Sequence, residues 1–267
     1  MTGRPWYVRL LLSAGPMAGA LATAIGLWYA VTYLVLGEDR RFMLPPPHEV
    51  IKTSLLDPVH LGPMLDALGL SVRVAVVGLL IAVVLGVTQA VVMVQANWLE
   101  KALYPYAVIL QTVPILALVP LLGIWFGYGF SSRVVVCVII SLFPMISNTL
   151  FGLQSPSAAA HDLFSLNKAT RWQRLVKLQL PAAVPAIFGG LRISAGLSVI
   201  GAIVGDTFFR QGLVGIGGLL DIYTARLQTE DLFTAIGLAS IFGVAFFSVF
   251  ATLDRIVVGR WYGVVRR

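Results

Sequence analysis

The chain has 267 residues, of which 58% are hydrophobic and only 12% charged. A soluble domain carries about 25% charged residues, and a mean hydropathy of +0.89 points to a polytopic membrane protein instead. The formal charge of +7 suits the basic loops that orient such a protein; no aromatic–basic interleaving marks a nucleic-acid surface. The one cysteine, Cys137, lies in an apolar run, so no intrachain disulfide forms and it reads as a small hydrophobe. His48, His60 and His161 lack metal-ligand spacing.

Residues 1–9 form a short basic N-terminus with Arg4 and Arg9. The apolar run over 10–37 is too long for a signal peptide and reads as a retained first span. An outer segment over 38–69 follows. Within its LPPPHEV, Leu44 to Val50, the three consecutive prolines force an extended path, and a short surface helix is expected after Glu49, ending near Asp57 and Pro58. Residues 70–258 read as a five-span core. Val74 to Leu99 is the second uncharged run, with Gly78 and Gly86 marking close helix approach. Glu100 and Lys101 make a turn. Ala102 to Ser132 is interrupted by Pro105, Pro114 and Pro120; a kink that lines a pathway and a kink that serves packing are equally open. The fourth span lies within Val134 to Ala160.

Ser157 to Pro185 is the longest polar interruption. Four cations, Lys168, Arg171, Arg174 and Lys177, share it with one acid, Asp162. Leu163, Leu166, Trp172, Leu175 and Val176 recur at helical spacing, and Pro181 and Pro185 are expected to stop that helix. It reads either as a helix on anionic lipid or as a docking helix for a partner. The fifth span runs from about Ala186 to Phe209, with Arg192 and Asp206 near its ends. Gly212 to Gly218, GLVGIGG, reads as a flexible outer turn. The sixth span covers Leu232 to Leu253, and 259–267 is a basic tail. With six spans, eleven Lys and Arg fall on the side of the termini and of the 157–185 loop, against six on the other. The positive-inside rule then puts the termini and that loop in the cytoplasm.

No Ser/His/Asp arrangement, metal cluster or phosphate-binding loop is present in the sequence, and no run of intramembrane acids suggests a proton-coupled carrier. The chain reads as a non-catalytic translocation pathway driven by a partner. A stand-alone carrier or channel, and a membrane scaffold without transport, are the rival readings.

The spacing of several motifs resembles the permease subunit of bacterial binding-protein-dependent ABC importers of type I fold. The similar branch serves nitrate, sulfonate, taurine and thiamine or riboflavin precursors. The family's cytoplasmic signature is E-A-A, three residues, G, nine residues, I-x-L-P. Here Asp162-Leu163-Phe164, Lys168 and Leu178-Gln179-Leu180-Pro181 keep that spacing. LPPPHEV resembles the branch's LPSPxEV, and Pro114 to Arg133 resembles PxxALxPLxxxWFGxGxxSK. Gly205-Asp206 with GLVGIGG resembles its carboxylate and glycine turn. The likeness covers about Phe42 to Tyr262. Lys168 replaces the family's bending Gly, so a loop that is more continuously helical, or more loosely coupled, is expected.

The resemblance implies an all-α fold of six spans with both termini cytoplasmic, in the bacterial inner membrane. It implies two ATPase subunits that bind ATP and Mg, a second, identical permease, and an extracytoplasmic binding protein; the chain itself is expected to hold no cofactor or metal. The ATPase-coupling residues would be Asp162, Leu163, Phe164, Leu166, Lys168, Ala169, Arg171, Trp172, Arg174, Leu178 and Pro181. Polar or kinking residues within spans three to five, Gln111, Thr112, Pro114, Asn148, Ser194 and Asp206, are the candidates for the path. The cargo would be a small organic or anionic solute of sulfonate, nitrate or vitamin-precursor type.

Overall fold

A computed structural model describes residues 6–262, with no strand among them. Arg4, Arg266 and Arg267 of the charge tally lie outside the described residues, as do the side chains of Arg9 and Arg260. The helices are α1 (Trp6–Ala30), α2 (Pro47–Val50), α3 (Pro58–Val94), α4 (Asn97–Thr112), α5 (Ile115–Phe126) and α6 (Phe130–Leu153). After them come α7 (Ala158–Leu166), α8 (Arg171–Arg174), α9 (Leu180–Phe208), α10 (Ile216–Ala225) and α11 (Thr229–Tyr262). Five helical stretches are long and apolar enough to cross a membrane: Ala18–Val35, Pro58–Val94, Phe130–Leu153, Arg171–Phe208 and Thr229–Gly259. The pair α4–α5, bent by 100°, makes a sixth if it counts as one span.

Several boundaries differ from the sequence expectation. α3 starts at Pro58, where the Asp57 carboxylate accepts the Val59 N–H at 2.9 Å. Glu100 and Lys101 are not a turn: they sit in α4, and the break falls at Gln95 and Ala96. The bend between α4 and α5 lies where the reading expected a proline kink. Val113 is extended ahead of Pro114, because the proline ring disfavours helical geometry in the preceding residue.

The described residues divide into two compact units, one taking the chain up to Pro63 with Ile222–Ile236, the other Met64–Asp221 with the chain from Gly237. In the first, the end of α1 is tied to the proline-rich stretch. The Trp28 indole donates to Pro45 O at 3.0 Å, and the Thr32 hydroxyl donates to Leu44 O at 3.1 Å. Asp231, at the start of α11, accepts from Ser54 Oγ at 2.5 Å and lies 2.9 Å from His60 Nδ1.

In the second unit α6 and α9 form an antiparallel hairpin. Its register is legible in the glycines. A Cβ on Gly201 would lie 2.7 Å from Cys137 Cα, and one on Gly205 3.0 Å from Arg133 Cα. A Cβ on Gly190 would lie 3.0 Å from Pro144 O, and one on Gly152 2.9 Å from Ala183 Cα. α3 joins the pair in the same manner, with Gly78 against Cys137 and Gly86 against Met145. Cys137 is buried and its thiol donates to Ser198 O at 3.2 Å. The core beside it is Val74, Ala75, Val134, Val199, Ala202 and Phe242.

Gly201→Ala would press a methyl into the backbone of α6, and overpacking of this kind costs about 1–3 kcal/mol. A lower thermal midpoint is expected for the detergent-solubilised protein, while Gly189→Ala, which meets nothing within 4 Å, leaves the midpoint near wild type.

Candidate functional site

The polar segment between α6 and α9 is two helices with a built break. The Ser157 hydroxyl accepts the Ala160 N–H and opens α7. At its end Ala169 N–H donates to Phe164 O and Lys168 N–H to Ser165 O, each at 2.9 Å. This is a Schellman ending, with Lys168 at φ 53° in the place where glycine is usual. The expectation of a more continuously helical loop is therefore corrected. The bend forms with a lysine in it, at a cost of about 1–2 kcal/mol for left-handed backbone. Thr170 then starts α8 with a reciprocal cap: its hydroxyl accepts Gln173 N–H at 3.2 Å, and Gln173 Oε1 accepts Thr170 N–H at 2.9 Å.

Pro181 and Pro185 do not stop the helix. A π turn over Leu175–Gln179 lets the Leu180 N–H reach Leu175 O, so Arg171–Phe208 is one continuous helix. The wide turn accommodates the proline, which lacks an N–H and crowds the carbonyl four residues back.

Leu175 is buried in one apolar cluster with Leu153 and Ala183, and the Arg174 guanidinium donates to Ser165 Oγ at 2.9 Å. These contacts fix α8 on the hairpin and on α7. The other apolar residues point away from the chain: Leu163 is 58% exposed, Leu166 82% and Trp172 69%. Asp162, Lys168, Arg171 and Pro181 are also exposed, while Phe164, Ala169 and Leu178 are half-buried. The segment thus presents an exposed face that is both apolar and basic.

At the opposite end of the hairpin lies a buried polar cluster. Arg133, in the first turn of α6, is 1% exposed, as is Asp206 in the last turn of α9. Arg133 Nη1 donates to Asp206 Oδ1 at 3.2 Å, Nε to Phe209 O at 2.7 Å and Nη2 to Leu213 O at 2.9 Å. Ser71 on α3 donates to the other Asp206 oxygen and accepts the Ile216 N–H at 2.9 Å. One guanidinium and one carboxylate thus tie the start of α6, the end of α9, the body of α3 and the 209–216 connection. Only Gly212 in GLVGIGG takes a left-handed turn, at φ 83°. Gly215, Gly217 and Gly218 are buried: a Cβ on Gly215 would enter the Asp206 carboxylate, and one on Gly217 would enter Ile203 O. The expected flexible turn is a tightly packed one.

Among the path candidates, Asn148 donates to Pro144 O at 2.8 Å and lies against Gly190. Ser194 donates to Ser141 O at 2.8 Å. Both belong to the α6–α9 seam, as does Asp206. Gln111, Thr112 and Pro114 are exposed at the bend between α4 and α5, so the two groups are not brought together. Ser71 and Arg133 were missed as partners of Asp206. The available signal was opposite charge at the joined ends of consecutive spans.

Residues 67–259 match the binding-protein-dependent transport system inner membrane component family. The chain belongs to that family. It is 31% identical to the formylaminopyrimidine transport permease ThiX of Halalkalibacterium halodurans over 81% of this chain and 85% of that relative. It is 33% identical to the riboflavin transport permease RibX of Chloroflexus aurantiacus, over 62% of this chain and 60% of that relative. Against the nitrate import permease NrtB of Synechococcus elongatus the identity is 27%, over 94% and 91%. As the resemblance implied, the chain is a membrane-spanning, non-catalytic permease of a binding-protein-dependent importer in the nitrate, sulfonate and thiamine-precursor branch. Its partners are an ATPase and a substrate-binding protein.

Removing one member of a buried ion pair leaves an uncompensated charge and costs about 3–5 kcal/mol, more than replacing both. Arg133→Met and Asp206→Leu are each expected to depress the thermal midpoint and the yield of extractable permease. The double variant recovers part of the loss, read by thermal unfolding in detergent.

Proposed function

We propose that the chain is one of two identical permease subunits of an ATP-driven importer in the bacterial inner membrane. It has six spans, with α4–α5 as the broken one, and both termini are cytoplasmic. Arg133 is buried rather than in a loop, so the outer cation count falls from six to five against eleven, which strengthens the cytoplasmic assignment of the α7–α8 segment. ATP and Mg belong to the partner ATPases, and this chain holds no cofactor. By likeness to relatives named for formylaminopyrimidine, riboflavin and nitrate, the cargo is a small organic or anionic solute of sulfonate, nitrate or vitamin-precursor type.

The observation that carries this reading is the exposed α7–α8 face joined without a break to a span. Arg171–Phe208 is 38 residues, roughly 57 Å at 1.5 Å per residue. When the ATPases close on ATP, a push on α8 travels along one rigid helix to the Asp206 end. The docking contacts are Asp162, Leu163, Phe164, Leu166, Lys168, Ala169, Arg171, Trp172, Arg174, Leu178 and Pro181. Leu166 and Trp172 act as apolar anchors and Arg171 and Arg174 as the charged rim. Gln111, Thr112, Pro114, Asn148, Ser194 and Asp206 remain the candidates along the path, the first three on the strength of their exposure at the bend.

Reconstitution tests the reading: uptake in proteoliposomes requires the ATPase, ATP and the loaded binding protein, and uptake by this chain alone would make it a carrier or channel instead. Trp172→Ala or Arg171→Glu is expected to lower the ATPase that co-purifies with the permease by about tenfold, with membrane insertion intact. Unchanged recovery removes the docking assignment.

A further inference from the structure

We infer that Lys168 is a charge contact with the ATPase, whose surface presents a carboxylate at the break between α7 and α8. The inference rests on the docking reading above. Lys168 occupies left-handed backbone, φ 53°, where glycine or asparagine would close the same Schellman turn with less strain. Its side chain is exposed, and it makes no hydrogen bond or ion pair among the described residues. The Schellman bonds offset the bend itself, but nothing among the described residues offsets placing a lysine side chain rather than glycine there. An outlier of this kind, at a recognition site, is a pointer to a contact outside it.

The surroundings say what that contact is. The only acid between Ser157 and Pro185 is Asp162, against four cations. Arg174 already has a partner in Ser165, so Lys168 and Arg171 are the cations of the break whose side chains have no bond among the described residues. Leu166 and Trp172 stand exposed on its two sides. A groove that takes both apolar anchors meets Lys168 between them, so its floor or lip is acidic. An anionic lipid surface is the less suited occupant. It responds to the number of nearby cations and has no use for a break whose geometry is held by the Schellman bonds, the reciprocal cap and the Arg174–Ser165 bond.

The test uses the whole importer, purified through the permease, with retained ATPase as the readout. Lys168→Gln keeps the stem and the strained backbone and removes the charge. It is expected to lower retention about five- to tenfold at moderate salt, Lys168→Glu further, and Lys177→Gln not at all. Retention by wild type falls as salt rises, and that of Lys168→Gln falls less, because the lost contact is the screened one. Lys168→Gly is expected to raise the thermal midpoint of the permease and still lose ATPase, which separates strain from recognition. If Trp172→Ala loses the ATPase and Lys168→Gln does not, the inference is overturned and the docking reading stands. If neither variant, nor Arg171→Glu, changes retention, the docking reading fails and takes the inference with it. Equal losses for Lys168→Gln and Lys177→Gln that follow the anionic-lipid content of nanodiscs would assign the lysine to the bilayer and overturn the inference.

Discussion

The close approach of α6 and α9 is the constraint on which the larger unit depends. Between helices in lipid the hydrophobic drive is absent, because the tails are as apolar as the side chains, and association rests on dispersion at short range. Gly190, Gly201 and Gly205 permit that range on one helix and Gly152 on the other; at each, an added Cβ would fall within about 3 Å of a neighbour's heavy atom. Once the glycines set the register, everything else along the hairpin is determined. Arg133 arrives opposite Asp206 at one end. Leu175 arrives on Leu153 at the other. The ion pair and the seating of the α8 end are thus two consequences of one packing seam.

The π turn at Leu175–Gln179 is the second device, and its value lies in what it prevents. A helix that ended at Pro181 would leave α8 hinged on the span, and a partner's push would be absorbed at the hinge. The wide turn keeps the backbone bonded past the proline, so α8 and α9 move as one body. Leu175, buried within that turn, adds a packing contact where the bonding is irregular. π turns of this kind are frequent at functional sites, and here the turn joins α8 to the long apolar helix α9.

The first unit contains a span that the family match does not reach, since the match begins at residue 67. α1 is nonetheless tied in. The Trp28 ring lies 5.1 Å from that of Phe233 of α11, tilted by 41°, and Thr229 at the start of α11 donates to Phe42 O. Asp231 gathers Ser54 and His60 from the segment that follows α1. These bonds are made to residues 229–233, within the matched region. The additional span is therefore held by side chains at the head of the last family helix rather than by its linker alone.

What was legible in the sequence was whatever is local or compositional. Charge scarcity gave the class, uncharged runs gave most of the apolar spans, and motif spacing up to Pro181 gave the family. What was not legible depended on partners distant in the chain. Arg133 looked like a loop cation because its carboxylate is 73 residues away, and only the α6–α9 register brings them together. Gly215, Gly217 and Gly218 looked flexible because the property that frees a glycine also lets another backbone approach it; which applies is a matter of neighbours. Pro181 looked like a stop because its local rule is strong, and the turn before it widened instead. Lys168 is the instructive case. The residue type argued for straight helix, yet the bend survives, because the two bonds from Lys168 and Ala169 to Ser165 and Phe164 and the cap at Thr170 outweigh one strained residue. The geometry of the break is set by its hydrogen bonds, which leaves the side chain at its apex free to be chosen for what it meets.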